Sequence, residues 1–148
     1  MLSLGSWFAR PATLRDWWRT LPGDAMGLMI MRFVGVEQPT RVHDTGDVVA
    51  YVIEDEGVGR FFEINLIPTR AQTFGRFVFA TYALDPETLE HECEHIRQWA
   101  KLGPAYLPAY FAASGLEYLA GRRAYWDNGF EAAARDRAAR ETQAGSGA

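Results

Sequence analysis

Asp85-Pro86-Glu87-Thr88-Leu89-Glu90-His91-Glu92-Cys93-Glu94-His95-Ile96-Arg97-Gln98, closed by Gly103-Pro104, is the stretch from which fold and chemistry are both read. Asp85 followed by Pro86 and early acids has the form of a helix start, with a capping side chain, a proline where no amide bond is lost, and negative charge at the positive end of the helix dipole. Gly103-Pro104 has the form of a stop. The interval predicts a helix of about 17 residues, an ordinary length for a globular domain. Thr88, His91, His95, Gln98 and Leu102 recur at spacings of three and four and so form one stripe.

Within that helix lies His-Glu-x-x-His. Residues four apart share a face, so His91 and His95 can reach one ion, while Glu92 projects beside that face as a general base. The chain has three histidines, and two are here. Two imidazoles and a carboxylate around an ion with an open position suit zinc, with ferrous iron as the alternative. Cys93 falls on roughly the opposite face and is expected to be a small buried side chain.

Outward from the helix, Phe74 to Thr81 predicts a strand leading into it. Asp47 to Glu54 and Arg60 to Leu66, joined by the Gly-bearing turn Asp55 to Gly59, predict an antiparallel hairpin. Pro11 to Leu21 predicts a short amphipathic helix stopped by Pro22-Gly23, and Ala25 to Val36 fits either a helix or a strand. Thr40 to Gly46 has the composition of a polar loop. After the motif come Pro104 to Ala120, with a possible bend at Pro108, and a last helix from Gly129 to Gln143 capped by Asp127-Asn128. The expectation is an α+β fold in one domain, residues 1–143. A small antiparallel sheet of three or more strands precedes the motif helix and the C-terminal helices; residues 1–24 form an N-terminal amphipathic segment and 144–148 a flexible tail.

Composition narrows the classes. The net charge is −4 and no basic cluster dominates, which disfavours nucleic acid as a partner. A single cysteine excludes an intrachain disulfide and fits a reducing compartment, so a cytoplasmic location is expected. No secretory signal is evident. Gly103 to Ala120 holds one charge, Glu117, and with Trp7, Phe8, Trp17 and Trp18 leaves peripheral membrane contact open.

A catalytic zinc site needs a third protein ligand. His43, Glu117, Asp127 and Glu131 are the candidates. Glu131 is preferred because it sits in the first turn of a well-capped helix, 36 residues after His95, a gap that one helix and a turn would fill. Gln98 or Asp127 would orient an imidazole, and Tyr106, Tyr110, Tyr125 or Arg97 would serve an oxyanion.

His91-Glu92-x-x-His95 with a downstream glutamate resembles the zincin metallopeptidases of the glutamate-ligand type. More closely, the chain resembles a group of small, poorly characterised bacterial proteins. The shared residues are His91 to Gln98, Gly103-Pro104, Leu107-Pro108-Ala109-Tyr110, Gly121, Tyr125 and Asp127-Asn128-Gly129-Phe130-Glu131, with Thr73 to Phe79 upstream. The resemblance covers roughly residues 70 to 135, and that group has proline where this chain has Gly129. It implies a zincin-like Zn2+ site and hydrolysis of a peptide or protein substrate, with no particular substrate named. The alternative is a non-catalytic metal-binding structural or scaffold module, possibly membrane-peripheral, for which a fourth ligand from Glu94, Asp127 or Cys93 would speak.

Overall fold

The computed structural model describes residues 14–63 and 69–146. Trp7, Phe8 and the rest of residues 1–13 lie outside the described residues, as do 64–68 and the last two positions. The fold is α+β. In order, the elements are α1 (Leu14–Val34), β1 (Arg41–Asp44), β2 (Val49–Glu54), α2 (Glu56–Glu63), β3 (Ala71–Phe74) and β4 (Phe77–Ala80). Then follow α3 (Pro86–Leu102), a 3-10 turn (Gly103–Ala105), α4 (Tyr106–Leu119) and α5 (Gly129–Ser146).

The sheet order is β1-β2-β4-β3. β1 with β2 and β3 with β4 are antiparallel, but β2 and β4 run parallel, with Tyr51 opposite Phe77 and Ile53 opposite Phe79. The sheet is therefore mixed rather than wholly antiparallel. β2 and β4 are buried on both faces, which is why they read as unbroken apolar runs. Alternation still sorts their side chains. Ala50, Val52, Val78 and Ala80 face α3 with Leu89, Cys93 and Ile96. Tyr51, Ile53, Phe77 and Phe79 turn the other way, towards Ile30 and Met31 of α1 and Val58 of α2.

Four local expectations are corrected. Glu56–Glu63 is a helix, so Arg60 to Glu63 do not start the second arm of a hairpin; residues 64–66 of that expected arm lie outside the described residues. Asp55 accepts a hydrogen bond from the Gly57 amide at 2.7 Å, which starts a turn of helix. Val58, Phe61 and Phe62, at spacings of three and four, then lie against the α1 side of the sheet. The strand expected over Phe74 to Thr81 is a tight hairpin, β3–β4, turning at Gly75-Arg76 with Gly75 at φ 59°. Thr40 to Gly46 contains β1, a strand whose mostly exposed side chains give no apolar alternation.

The fourth correction concerns α1, which runs straight through Pro22-Gly23. Tertiary contact overrides the local stop signal. A Cβ on Gly23 would stand 2.3 Å from the Gly75 amide nitrogen, and one on Gly27 would stand 2.7 Å from the Phe77 side chain. Bare backbone is what lets helix and hairpin meet so closely. A buried ion pair locks the junction. Asp24 Oδ1 accepts from the Arg76 amide at 2.7 Å, and Oδ2 accepts from Arg76 Nε at 3.0 Å, Arg76 Nη2 at 2.8 Å and Thr20 Oγ1 at 3.0 Å.

α3 has the predicted bounds. The Asp85 carboxylate caps the Thr88 amide at 2.9 Å, Pro86 opens the first turn, and Gly103 ends it at φ 59°. Pro108 falls in the first turn of α4, where its missing amide proton costs no helical bond. α5 starts as expected at Gly129 but continues to Ser146, into the segment expected to be a flexible tail. Glu131, Ala134 and Ala138 form its buried stripe, and the two alanines let α5 lie close along α3.

Candidate metal centre

Two helices build the site. α3 presents His91 and His95 one turn apart, and α5 presents Glu131 from its first turn. Asn128 fixes where that turn begins: its Oδ1 accepts from the Phe130 amide at 2.9 Å, and its Nδ2 donates to Ser114 Oγ at 2.7 Å and the Tyr110 carbonyl at 3.2 Å. The preceding turn is closed by Asp127, which accepts from the Arg123 amide at 2.8 Å.

His91 Nε2 and His95 Nε2 are 3.2 Å apart. Glu131 Oε2 is 3.2 Å from the first and Oε1 is 3.4 Å from the second. An ion bound tetrahedrally at about 2.0–2.1 Å holds its ligands roughly 3.3 Å apart. Each imidazole meets a different oxygen of Glu131, at separations of the order that the ligands of such an ion keep. Glu131 Oε2 is fully buried and accepts no well-formed hydrogen bond, an unfilled requirement for positive charge. Burial pushes the Glu131 carboxyl up, but the imidazoles of His91 and His95 close beside it outweigh that, and the net shift is downward. Burial likewise opposes charge on His95, yet Glu131 and Glu92 raise its pKa to about 9. Both shifts describe a pocket that attracts a cation.

The tautomer of His95 follows from its neighbours. Gln98 Nε2 donates to the Phe130 carbonyl at 2.9 Å, which can only accept, so the amide orientation is fixed. Gln98 Oε1 then accepts from His95 Nδ1 at 2.9 Å. With its proton held on Nδ1, neutral His95 turns the Nε2 lone pair to the shared point. The Tyr106 hydroxyl also lies 3.2 Å from Nδ1, and the Tyr110 hydroxyl donates to Glu131 Oε1 at 2.7 Å.

Glu92 is buried beside the triangle, its Oε2 accepting from Thr73 Oγ1 on β3 at 2.6 Å. His91 and Glu92 form part of the wall of a cleft of about 560 Å³, with Tyr125, Trp126 and Arg135 on one side and Thr69, Arg70 and Ala71 on another. Among the described strands β3 is an edge, so the edge beside the cleft is Ala71–Phe74.

The remaining candidates are placed elsewhere. His43 is on β1 and meets Glu90 and Cys93, three groups whose ligand atoms lie within 4.8 Å of one another. A cation is already present there, since Arg97 Nη1 pairs with Glu90 at 2.8 Å and Nε with Asp47 at 2.8 Å. Burial and the charge of Glu90 push the Cys93 thiol up to about 12, the behaviour of a packed thiol. Arg97 is thus turned from the centre. Glu117 pairs with Arg122, and Asp127 turns back to Arg123, so neither approaches the imidazoles. Glu94 pairs with Arg97. Tyr106 and Tyr110 hold His95 and Glu131, whereas Tyr125 lines the cleft; burial and the charge of Glu131 raise its pKa and keep its hydroxyl protonated.

Thr73 and Arg135 were missed as site residues. Thr73 carries a signal in hindsight, as a hydroxyl on the strand just ahead of the motif; Arg135 lies one turn beyond Glu131, on the same face. No described helix is long and apolar enough to cross a membrane. No protein-family model matches the chain, and neither a curated protein nor a solved structure matches it.

Proposed function

We propose that the protein is a zinc-dependent, zincin-like metallopeptidase. The observation that carries this reading is the convergence of His91 Nε2, His95 Nε2 and the Glu131 carboxylate, which meets the first imidazole at 3.2 Å and the second at 3.4 Å through its two oxygens, with a buried carboxylate, Glu92, beside them at the wall of a cleft. Bound zinc supplies a Lewis acid and brings the pKa of a water to about 7. Glu92 accepts the proton of the attacking water and delivers it to the leaving amine nitrogen. Thr73 holds the Glu92 carboxylate in one orientation for both transfers. Gln98 keeps the His95 lone pair inward, and Tyr110 keeps the Glu131 carboxylate turned to the same point. Tyr125, which lines the cleft, is the hydroxyl placed to meet the substrate carbonyl oxygen.

β3 argues for a peptide as substrate. Among the described strands β3 is an edge, and Ala71 brings it to the cleft, the position from which an extended chain could pair with it. A closed structural site would need a fourth protein ligand. Glu94, Asp127 and Cys93 are each engaged or buried away from the triangle, which favours the catalytic reading over the scaffold one.

Metal analysis of the purified protein tests this. One equivalent of zinc is expected, lost in His95→Ala and retained in Glu92→Gln, which loses peptide hydrolysis. A wild-type protein that takes up no zinc, or His95→Ala that keeps it undiminished, sinks the reading.

A further inference from the structure

A surface helix normally turns polar residues to solvent. α4 does the reverse. Of its fourteen residues only Tyr106 is buried, and its outward residues carry no charge. Phe111, Leu116, Tyr118 and Leu119 expose 63–82 % of their surface. Its one charged residue, Glu117, is paired to Arg122, which leaves 18 % of its side chain exposed. A continuous apolar face of this kind marks a surface that meets something.

We propose that the outer face of α4 docks on an anionic lipid surface. Three features select lipid over protein. The outward-facing side chains of α4 offer one hydrogen-bonding group, the Tyr118 hydroxyl, whereas protein interfaces carry about one hydrogen bond per 100–200 Å². The apolar face ends in Arg122 and Arg123, whose side chains are 58 % and 74 % exposed, while the acids that pair with them, Glu117 and Asp127, are 18 % and 33 % exposed. In both pairs the guanidinium is more exposed than the acid, so it is the cationic partner that is presented to anionic headgroups. Tyr118 and the half-exposed Trp126, over which Arg123 sits at 5.9 Å, are side chains of the type that settle at headgroup depth. At fourteen residues the helix lies on the surface and does not span it.

Flotation of the full chain with phosphatidylcholine vesicles, with and without phosphatidylglycerol, tests the proposal; it is independent of zinc. Wild type is expected to float with the anionic vesicles and to bind neutral ones at least ten-fold more weakly. Leu116→Ser/Leu119→Ser should lose binding at least ten-fold. Arg122→Gln/Arg123→Gln should reduce it several-fold and flatten its salt dependence. All these side chains are exposed, so thermal unfolding should be unchanged; Phe111→Ser replaces the leucine pair if that variant does not fold. Absence of flotation with either vesicle, or full binding by the leucine variant, overturns the proposal. So does a wild-type dimer that the leucine variant dissolves without any vesicle binding, which would make a second copy the occupant.

Discussion

Two buried carboxylates divide the molecule between architecture and chemistry. Asp24 is satisfied from within: Thr20 and three donors of Arg76 fill both its oxygens. Glu131 is equally buried, yet one oxygen accepts from Tyr110 and the other accepts no well-formed hydrogen bond. A carboxylate that stabilises a fold brings its own counter-charge. In the proposed site Glu131 is held by Tyr110 and faces two imidazoles, groups that can present either a proton or a lone pair.

The largest effect that could break this contrast is at Asp24. Asp24→Ala leaves the Arg76 guanidinium buried without its partner and is expected to cost about 3–5 kcal/mol. Urea unfolding measures it, and zinc uptake by the folded fraction should be unchanged. A cost under about 1 kcal/mol would remove the distinction. Next comes zinc itself. At a free concentration a hundred times its Kd, zinc should stabilise the wild type by about 2.7 kcal/mol and leave His95→Ala unaffected, as read by unfolding with and without metal. Gln98→Ala should weaken zinc binding on the order of 10–100-fold by freeing the His95 tautomer, measured by chelator competition. The smallest effect is at Asp47. The Arg97 hydrogen bond, opposed by burial and aided by Thr45, holds its carboxyl well below the ordinary range. Its stabilising contribution is therefore complete above the unfolded carboxyl value of about 4 and fades as pH falls through the lowered folded value. The side chain is half exposed, so Asp47→Asn should cost under about 1 kcal/mol at pH 7, and the gap to wild type should close in acid.

What could be read from the sequence was local. The α3 bounds, its cap and its stop depend on residues within one turn of each end, and they agree with the structure. The place of Glu131 near the start of α5 was legible from Asp127-Asn128, whereas the crossing of α5 over α3 rests on Ala134 and Ala138, which carry no partner label in sequence. α2 was misread because Gly57 and Gly59 resemble a turn and the phenylalanines after them resemble a strand; the i, i+3, i+4 spacing of Val58, Phe61 and Phe62 was the competing signal. Pro22-Gly23 deceived for another reason. The close approach of Gly23 to Gly75 joins positions 52 apart, and no local window contains both.

The hydrogen-bond relay from the Phe130 carbonyl through Gln98 to His95 has a thermodynamic consequence. The imidazole on one helix is oriented by the backbone of another, so ligand geometry exists only while α5 is seated. In the proposed zinc site, occupancy and docking are then linked equilibria, each strengthening the other by the same factor. Chelation should accordingly register far from the ion, as faster amide hydrogen exchange along α5, while β2 and β4 keep their protection.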